Sequence, residues 1–190
     1  LAALSELPGL TAAISGDLRA AGIAHAVSGA AALAAYGVVR ATRDLDVLVS
    51  VPAIRLPHVF VLLRHRGFAG EDADLLAALR DRSVAEMTSA GPLSVELLVP
   101  ALPYHHDLLR RAVDIEVQGV PVPFVSREDL VVLKLLWRRT KDVADVEALL
   151  AASDSSLNVA YVRRTLASLL PNGDPRLIEL EALLRRFWRG

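Results

Sequence analysis

The sequence predicts an α+β protein: a mixed β-sheet flanked by helices, followed by an all-helical C-terminal part. Three observations carry this expectation. Short β-rich runs alternate with helical runs as far as Ser126. Beyond Ser126 only the helical period remains. The breaker Pro171-Asn172-Gly173-Asp174-Pro175 then divides the last stretch into separate helices. Residues 1–126 therefore read as an α/β core and 127–190 as a helical region packed on it.

The elements follow in chain order. Pro8 to Ala21 reads as a helix, with Leu10, Ala13, Ile14 and Leu18 at helical spacing, Gly22 as its stop and Pro8 in the first turn. Ile23 to Val27 is a short apolar strand, and Ser28-Gly29 turns it into an alanine-rich helix, Ala30 to Tyr36, with Gly37 as C-cap. Leu45 to Val49 is the next strand, and Pro57 to Gly67 and Asp72 to Arg80 read as helices. Val84 to Thr88 and Leu93 to Val99 form a hairpin around Ala90-Gly91-Pro92. Val113 to Val125, interrupted at Gly119, gives a further pair of strands. Ser126 N-caps one long amphipathic helix, Arg127 to Ala151, with Asp129 at the capping-box position. Leu157 to Leu170 and Arg176 to Trp188 complete the chain.

Composition narrows the function classes. The chain has 190 residues, with 21 Lys plus Arg against 22 Asp plus Glu, a formal net charge of -1. That balance argues against a general nucleic-acid coat or a polybasic membrane binder. The absence of cysteine excludes a disulfide scaffold, a thiolate zinc site and a cysteine nucleophile. Mean hydropathy is high, +0.40. The apolar run Ala26 to Val39 nevertheless falls short of the roughly 20 residues a spanning helix needs. Glu6 and Asp17 interrupt the start, so no signal peptide is expected, and the expected compartment is the cytoplasm, without membrane attachment.

The sharpest chemical feature is Arg40-Ala41-Thr42-Arg43-Asp44-Leu45-Asp46. Strand alternation points Asp44 and Asp46 to one face and Leu45, Val47 and Val49 to the other. Two carboxylates on one face repel, and a divalent cation such as Mg²⁺ is the natural offset. A solvated strand end, paired by Arg40 and Arg43, is the other reading of the same residues. Upstream, Ser28-Gly29 opens a helix whose backbone N–H groups can hold a phosphate, or whose Ser28 is simply an N-cap. Neither a Walker loop nor a dinucleotide fingerprint occurs. Glu96 shares a strand face with Ser94, as a further acid or as the polar side of a half-buried hairpin. On the long helix Lys134, Arg138, Lys141 and Asp145 form one stripe with Asp142 at its edge. The histidines lack any metal-ligand spacing, Trp137, Phe187 and Trp188 read as packing residues, and the Arg185 to Arg189 tail is too short to argue an RNA surface.

These motifs together resemble the nucleotidyltransferase superfamily, in particular its minimal, AbiEii-like members from toxin–antitoxin and abortive-infection systems. The likeness spans roughly residues 20–150 and rests on Ser28-Gly29, the R-x-T-x-D-x-D segment Arg40 to Asp46, Glu96, and the basic-K-D-x-x-D run Arg138 to Asp145. Two departures are visible: the turn reads Ser-Gly where the family usually has Gly-Gly or Gly-Ser, and the third acid is Glu rather than Asp. The resemblance implies a nucleotidyltransferase-fold sheet and a metal-dependent transfer of NMP from an NTP to an acceptor hydroxyl. In that reading Asp44, Asp46 and Glu96 are the catalytic acids and hold Mg²⁺ or Mn²⁺. Ser28, Gly29, Arg40, Arg43, Lys134 and Lys141 bind the nucleotide, supported by Thr42, Asp142 and Asp145. A tRNA or other RNA end, or a protein, is the implied acceptor, and a cognate antitoxin the implied partner. The alternatives are a catalytically silent binding module of the same fold and the adenylylation of a small-molecule antibiotic.

Overall fold

The structure, a computed structural model, describes residues 2–153 and 156–188, with side chains from Glu6 onward. Arg189, counted above in the basic tail, lies outside the described residues. The elements are α1 (Ala2–Ala20), β1 (Ala24–Val27), α2 (Gly29–Ala35), β2 (Asp44–Ser50), α3 (Leu56–His65), β3 (Phe68–Ala69), α4 (Asp72–Arg82), β4 (Val84–Ser89), β5 (Ser94–Leu98), α5 (Pro103–Arg110), β6 (Val113–Val117), β7 (Val120–Phe124), α6 (Arg127–Trp137), α7 (Thr140–Ala152), α8 (Val159–Leu169) and α9 (Pro175–Phe187). Among the described residues the strands form one seven-stranded mixed sheet, ordered β3-β4-β5-β2-β1-β7-β6. The expected α+β class is what the chain adopts. No described helix is long and apolar enough to cross a membrane.

The chain divides into two compact units. The first holds the residues up to Ala32 together with Arg40–Val125, and so contains the whole sheet. The second joins Leu33–Val39 to the residues from Ser126 onward, so the division runs through α2.

In the first unit β2 pairs antiparallel with β1 and parallel with β5. Leu45, Val47 and Val49 of β2 are buried on one face, which they share with Val27 and His25 of β1 through the register. That face lies under α1, because Ser15 of α1 bonds the His25 ring at 2.8 Å. The ring's Nδ1 donates to the Ile23 carbonyl at 2.9 Å, which leaves Nε2 to accept from the Ser15 hydroxyl. Burial holds the His25 pKa below the usual histidine range, against the smaller upward pull of the Ile23 bond. The helix α1 begins before Pro8, which therefore sits inside it rather than in its first turn. Leu7, Thr11, Ile14 and Leu18 are all buried at helical spacing, so the packed stripe starts on the N-terminal side of the proline.

Two helix expectations need correction. α5 occupies Pro103–Arg110, a stretch to which the sequence reading assigns no element; Tyr104 and Leu108, four apart, anchor it in the core. The single helix expected over Arg127 to Ala151 is two helices, broken at Arg138 and Arg139. Arg138 takes a left-handed conformation at φ +51 without being glycine, which costs ~1–2 kcal/mol. The new helix start offsets this: Asp142 Oδ2 accepts from the Arg139 backbone N–H at 3.1 Å and from its Nε at 2.7 Å. The break also folds Lys134 of α6 onto α7. Its ammonium donates to Asp142 at 3.1 Å and to Asp145 at 2.7 Å, all three side chains being buried. One continuous helix would hold positions eight and eleven apart well beyond such a bond. Burial pushes the Asp142 carboxyl up, and the Arg139 and Lys134 bonds more than reverse this, so its pKa lies below the usual carboxylate value.

Removing Lys134 takes one ammonium away from two buried carboxylates. Lys134→Met is therefore expected to lower stability by about 3–5 kcal/mol in urea unfolding, whereas Lys141→Met, at an exposed position, stays within about 0.5 kcal/mol. Equal small effects at both would mean that the cluster contributes nothing. A second expectation concerns pH. With its folded pKa lowered from 6.5, His25 leaves stability unaffected above that value. Below it the unfolded chain takes up a proton that the folded chain refuses, so stability falls. Unfolding midpoints between about pH 7 and 5 should drop more for the native chain than for His25→Gln.

Candidate functional site

The polar face of the first unit's sheet is assembled by strand register. On β2, Asp44 and Asp46 are half-buried and point away from the buried Leu45 and Val47. On β5, Ser94 and Glu96 alternate with the buried Val95 and Leu97. Parallel pairing puts Asp44 opposite Ser94 and Asp46 opposite Glu96. Neighbouring strands lie roughly 4.7–4.9 Å apart, so two acids stand side by side here on one face of the sheet.

Each acid has a distinct surrounding. Asp44 Oδ1 accepts from the Ser94 hydroxyl at 3.1 Å, and the Asp44 N–H donates to the Thr42 hydroxyl at 3.3 Å. The antiparallel ladder between β1 and β2 extends one step further, with Ser28 N–H donating to the Asp46 carbonyl at 2.9 Å. This brings the turn between β1 and α2 against Asp46. Gly29 has φ +57, and a Cβ built there would stand 1.7 Å from Asp46 Oδ2. Only a residue without a side chain fits between the carboxylate and the first turn of α2.

Register also adds an acid that sequence reasoning passed over. Glu86 of β4 lies opposite Glu96, so Ser28, Asp46, Glu96 and Glu86 form one row across four neighbouring strand positions. The signal was available. The expected hairpin around Ala90-Gly91-Pro92 closes with Ser89 N–H on the Leu93 carbonyl, and counting back from that bond pairs 86 with 96.

The other sequence candidates are distributed as follows. Arg40, Thr42 and Arg43 lie on the segment that enters β2, Arg43 exposed and Arg40 half-buried. Lys141 is exposed in the first turn of α7, and Lys134 is held by Asp142 and Asp145; all four belong to the second unit. Ser28, Gly29, Asp44, Asp46 and Glu96 are thus the candidates brought together in the first unit. Among the described residues, no three acidic or histidine side chains are drawn closely enough together to hold a metal ion as they stand. The donor set itself is all carboxylate oxygen, which suits a hard cation such as Mg²⁺ or Mn²⁺ rather than zinc or copper.

The contact between Gly29 and Asp46 makes a stability prediction. Gly29→Ala combines a left-handed backbone with a direct clash and should cost more than about 1 kcal/mol. In an Asp46→Ala background the carboxylate clash is removed and only the 3.2 Å approach to Cβ of residue 46 remains, so a double-mutant cycle should return a coupling of roughly 1 kcal/mol or more. Strict additivity would place the carboxylate elsewhere.

No family model and no curated protein matches the chain. Solved structures do. The crystal structure of an antigenic nucleotidyltransferase-like protein from Paracoccidioides brasiliensis superposes with a TM-score of 0.50 at 16% identity, over 98% of this chain and 95% of that one. The solution structure of the antibiotic-resistance factor ANT(2'')-Ia gives 0.50 at 14% identity, over 95% of this chain and 92% of that one. The same factor in complex with adenylyl-2''-tobramycin gives 0.51 at 14% identity, over 94% and 97%. At such identities the likeness is one of architecture, and it agrees with the sheet and flanking helices described above: the chain has the nucleotidyltransferase fold.

Proposed function

We propose that the chain is a metal-dependent nucleotidyltransferase, moving a nucleoside monophosphate from an NTP to an acceptor hydroxyl. The observation that carries this reading is the parallel register setting Asp46 beside Glu96, with Asp44 on the same face and Gly29 against Asp46. Asp44, Asp46 and Glu96 are the residues that would hold Mg²⁺ or Mn²⁺. When bound, such a cation offsets phosphate charge and polarises the phosphorus under attack.

The chain's own residues supply the rest. Ser28 and the bare Gly29 backbone let a phosphate approach the turn, and Arg40 and Arg43, ahead of β2, offset the charge of the triphosphate. The acceptor oxygen forms a bond to the α-phosphorus while the bond to the pyrophosphate oxygen breaks. The hydroxyl proton passes to a carboxylate of the same acidic set. Lys134 is engaged by two buried aspartates and takes no part in this reading.

An RNA or tRNA end, or a protein side chain, is the acceptor class that goes with an AbiEii-like toxin paired with an antitoxin and working in the cytoplasm, where NTPs are at hand. A second reading keeps the site and changes the acceptor to a small-molecule antibiotic. It is favoured by the fold likeness to ANT(2'')-Ia, one of whose structures contains adenylyl-2''-tobramycin.

The test is transfer of label. The purified chain is incubated with each α-labelled NTP and Mg²⁺, together with total RNA, lysate protein or tobramycin in separate arms. Label is expected on one acceptor class, with release of pyrophosphate. Asp44→Asn or Asp46→Asn should lower the rate by on the order of 10²–10³-fold. Absence of label in every arm, with nucleotide-induced thermal stabilisation that persists in the double Asn variant, would instead identify a silent binding module.

A further inference from the structure

Asp44 and Glu96 lie on different strands, and the structure ties them together through one side chain. Ser94 sits two positions before Glu96 on β5 and opposite Asp44 in the parallel register. Its backbone N–H donates to the Arg43 carbonyl at 2.9 Å, and its hydroxyl lies 3.1 Å from Asp44 Oδ1. An ionised carboxylate only accepts, so the hydroxyl proton points at Asp44. Ser94 therefore grips the Arg43–Asp44 step at both main chain and side chain. The bond engages Oδ1, and among the described residues no protein donor is found on Oδ2. With the residue only 7% exposed, the hydroxyl is out of reach of a bulky acceptor and acts through Asp44 rather than on a substrate.

We propose that Ser94 is a positioning residue that fixes the Asp44 carboxylate for cation binding, an inference that rests on the nucleotidyltransferase reading above. Ser-x-Glu on β5 then matches Asp-x-Asp on β2 rung for rung: Ser94 orients one aspartate, and Glu96 stands beside the other. The arrangement has a physical advantage. A carboxylate free to rotate loses torsional freedom each time it binds a cation, whereas a carboxylate already held by a hydrogen bond has lost it in advance. Thr42 does not substitute for Ser94, because its hydroxyl meets the backbone of Asp44 and not its carboxylate.

The experiment reads cation binding directly. Mn²⁺ titrations by calorimetry, in the presence of a non-hydrolysable NTP analogue, compare the unsubstituted chain with Ser94→Ala and Ser94→Thr. Ser94→Ala should weaken Mn²⁺ binding by about 10–100-fold, the usual effect of removing a hydrogen bond to a metal-holding carboxylate. Ser94→Thr, which keeps the hydroxyl, should recover most of it. In an Asp44→Asn background, Ser94→Ala should cause no further loss. In the transfer assay the Mg²⁺ concentration for half-maximal rate should rise, with kcat recovered at saturating Mg²⁺; damage to the fold would not be cured by added cation. Undiminished Mn²⁺ affinity in Ser94→Ala, or an equal drop in both backgrounds, overturns the inference and leaves the nucleotidyltransferase reading standing. Failure of the unsubstituted chain to bind Mn²⁺ at all overturns both.

Discussion

Parallel pairing of β2 with β5 brings together acids from distant parts of the chain, and like charges at opposed positions resist that pairing. Asp46 faces Glu96, which in turn faces Glu86. Each such opposition costs roughly 0.2–1 kcal/mol. The opposite face of the same strands supplies what outweighs it. Leu45, Val47, Val95, Leu97, Ala85 and Met87 are all buried, and every one of them but Ala85 is exposed by 1% or less. Full burial of one such side chain is worth about 1.5–3 kcal/mol. The apolar face therefore decides the register, and the acidic row on the other face follows from period-2 alternation. Slipping the register by one residue would turn the acids into the core.

This division explains what could be read in advance. Alternation alone puts Asp44 and Asp46 on one face, and Ser94 with Glu96 on another strand, because it is a local property of each run. The glycine stop of α2 is equally local: Gly37, at φ +85, donates to the Ala34 carbonyl while Val38 donates to that of Leu33. The lateral neighbours are different. That Asp46 meets Glu96 depends on a parallel pairing of strands some fifty residues apart, for which no turn sets the register. Glu86 was within reach, since a hairpin register can be counted from its turn, but a polar residue on an exposed strand face draws no notice alone. The break at Arg138 had no local sign at all. Neither glycine nor proline marks it, and the interactions that favour it, Lys134 with Asp142 and Asp145, exist only after the chain has turned. The phase of the charged stripe was therefore projected along a helix that does not continue.

Charge is arranged differently in the second unit and on the polar face of the first unit's sheet. In the second, acids are matched: Lys134 serves Asp142 and Asp145, and Arg138, Arg163 and Arg176 pair with Glu179, Glu181 and Asp174. The exposed pairs among these contribute only about 0–1 kcal/mol each, yet they show that this sequence has cations to place beside acids. On the polar face of the sheet it does otherwise. Among the described residues Asp44 receives a serine hydroxyl, and Glu96 and Glu86 form no ion pair. A surface that served stability alone would interleave the two signs across the rungs. Here the sequence leaves negative charge of one sign on adjacent rungs and clears the approach to Asp46 with a glycine. A divalent cation brought in with a triphosphate is a counter-charge that need not be built into the chain. On the proposed reading the repulsion along this row is relieved when nucleotide and metal are bound, and Glu96 and Glu86 need no cation of the chain beside them.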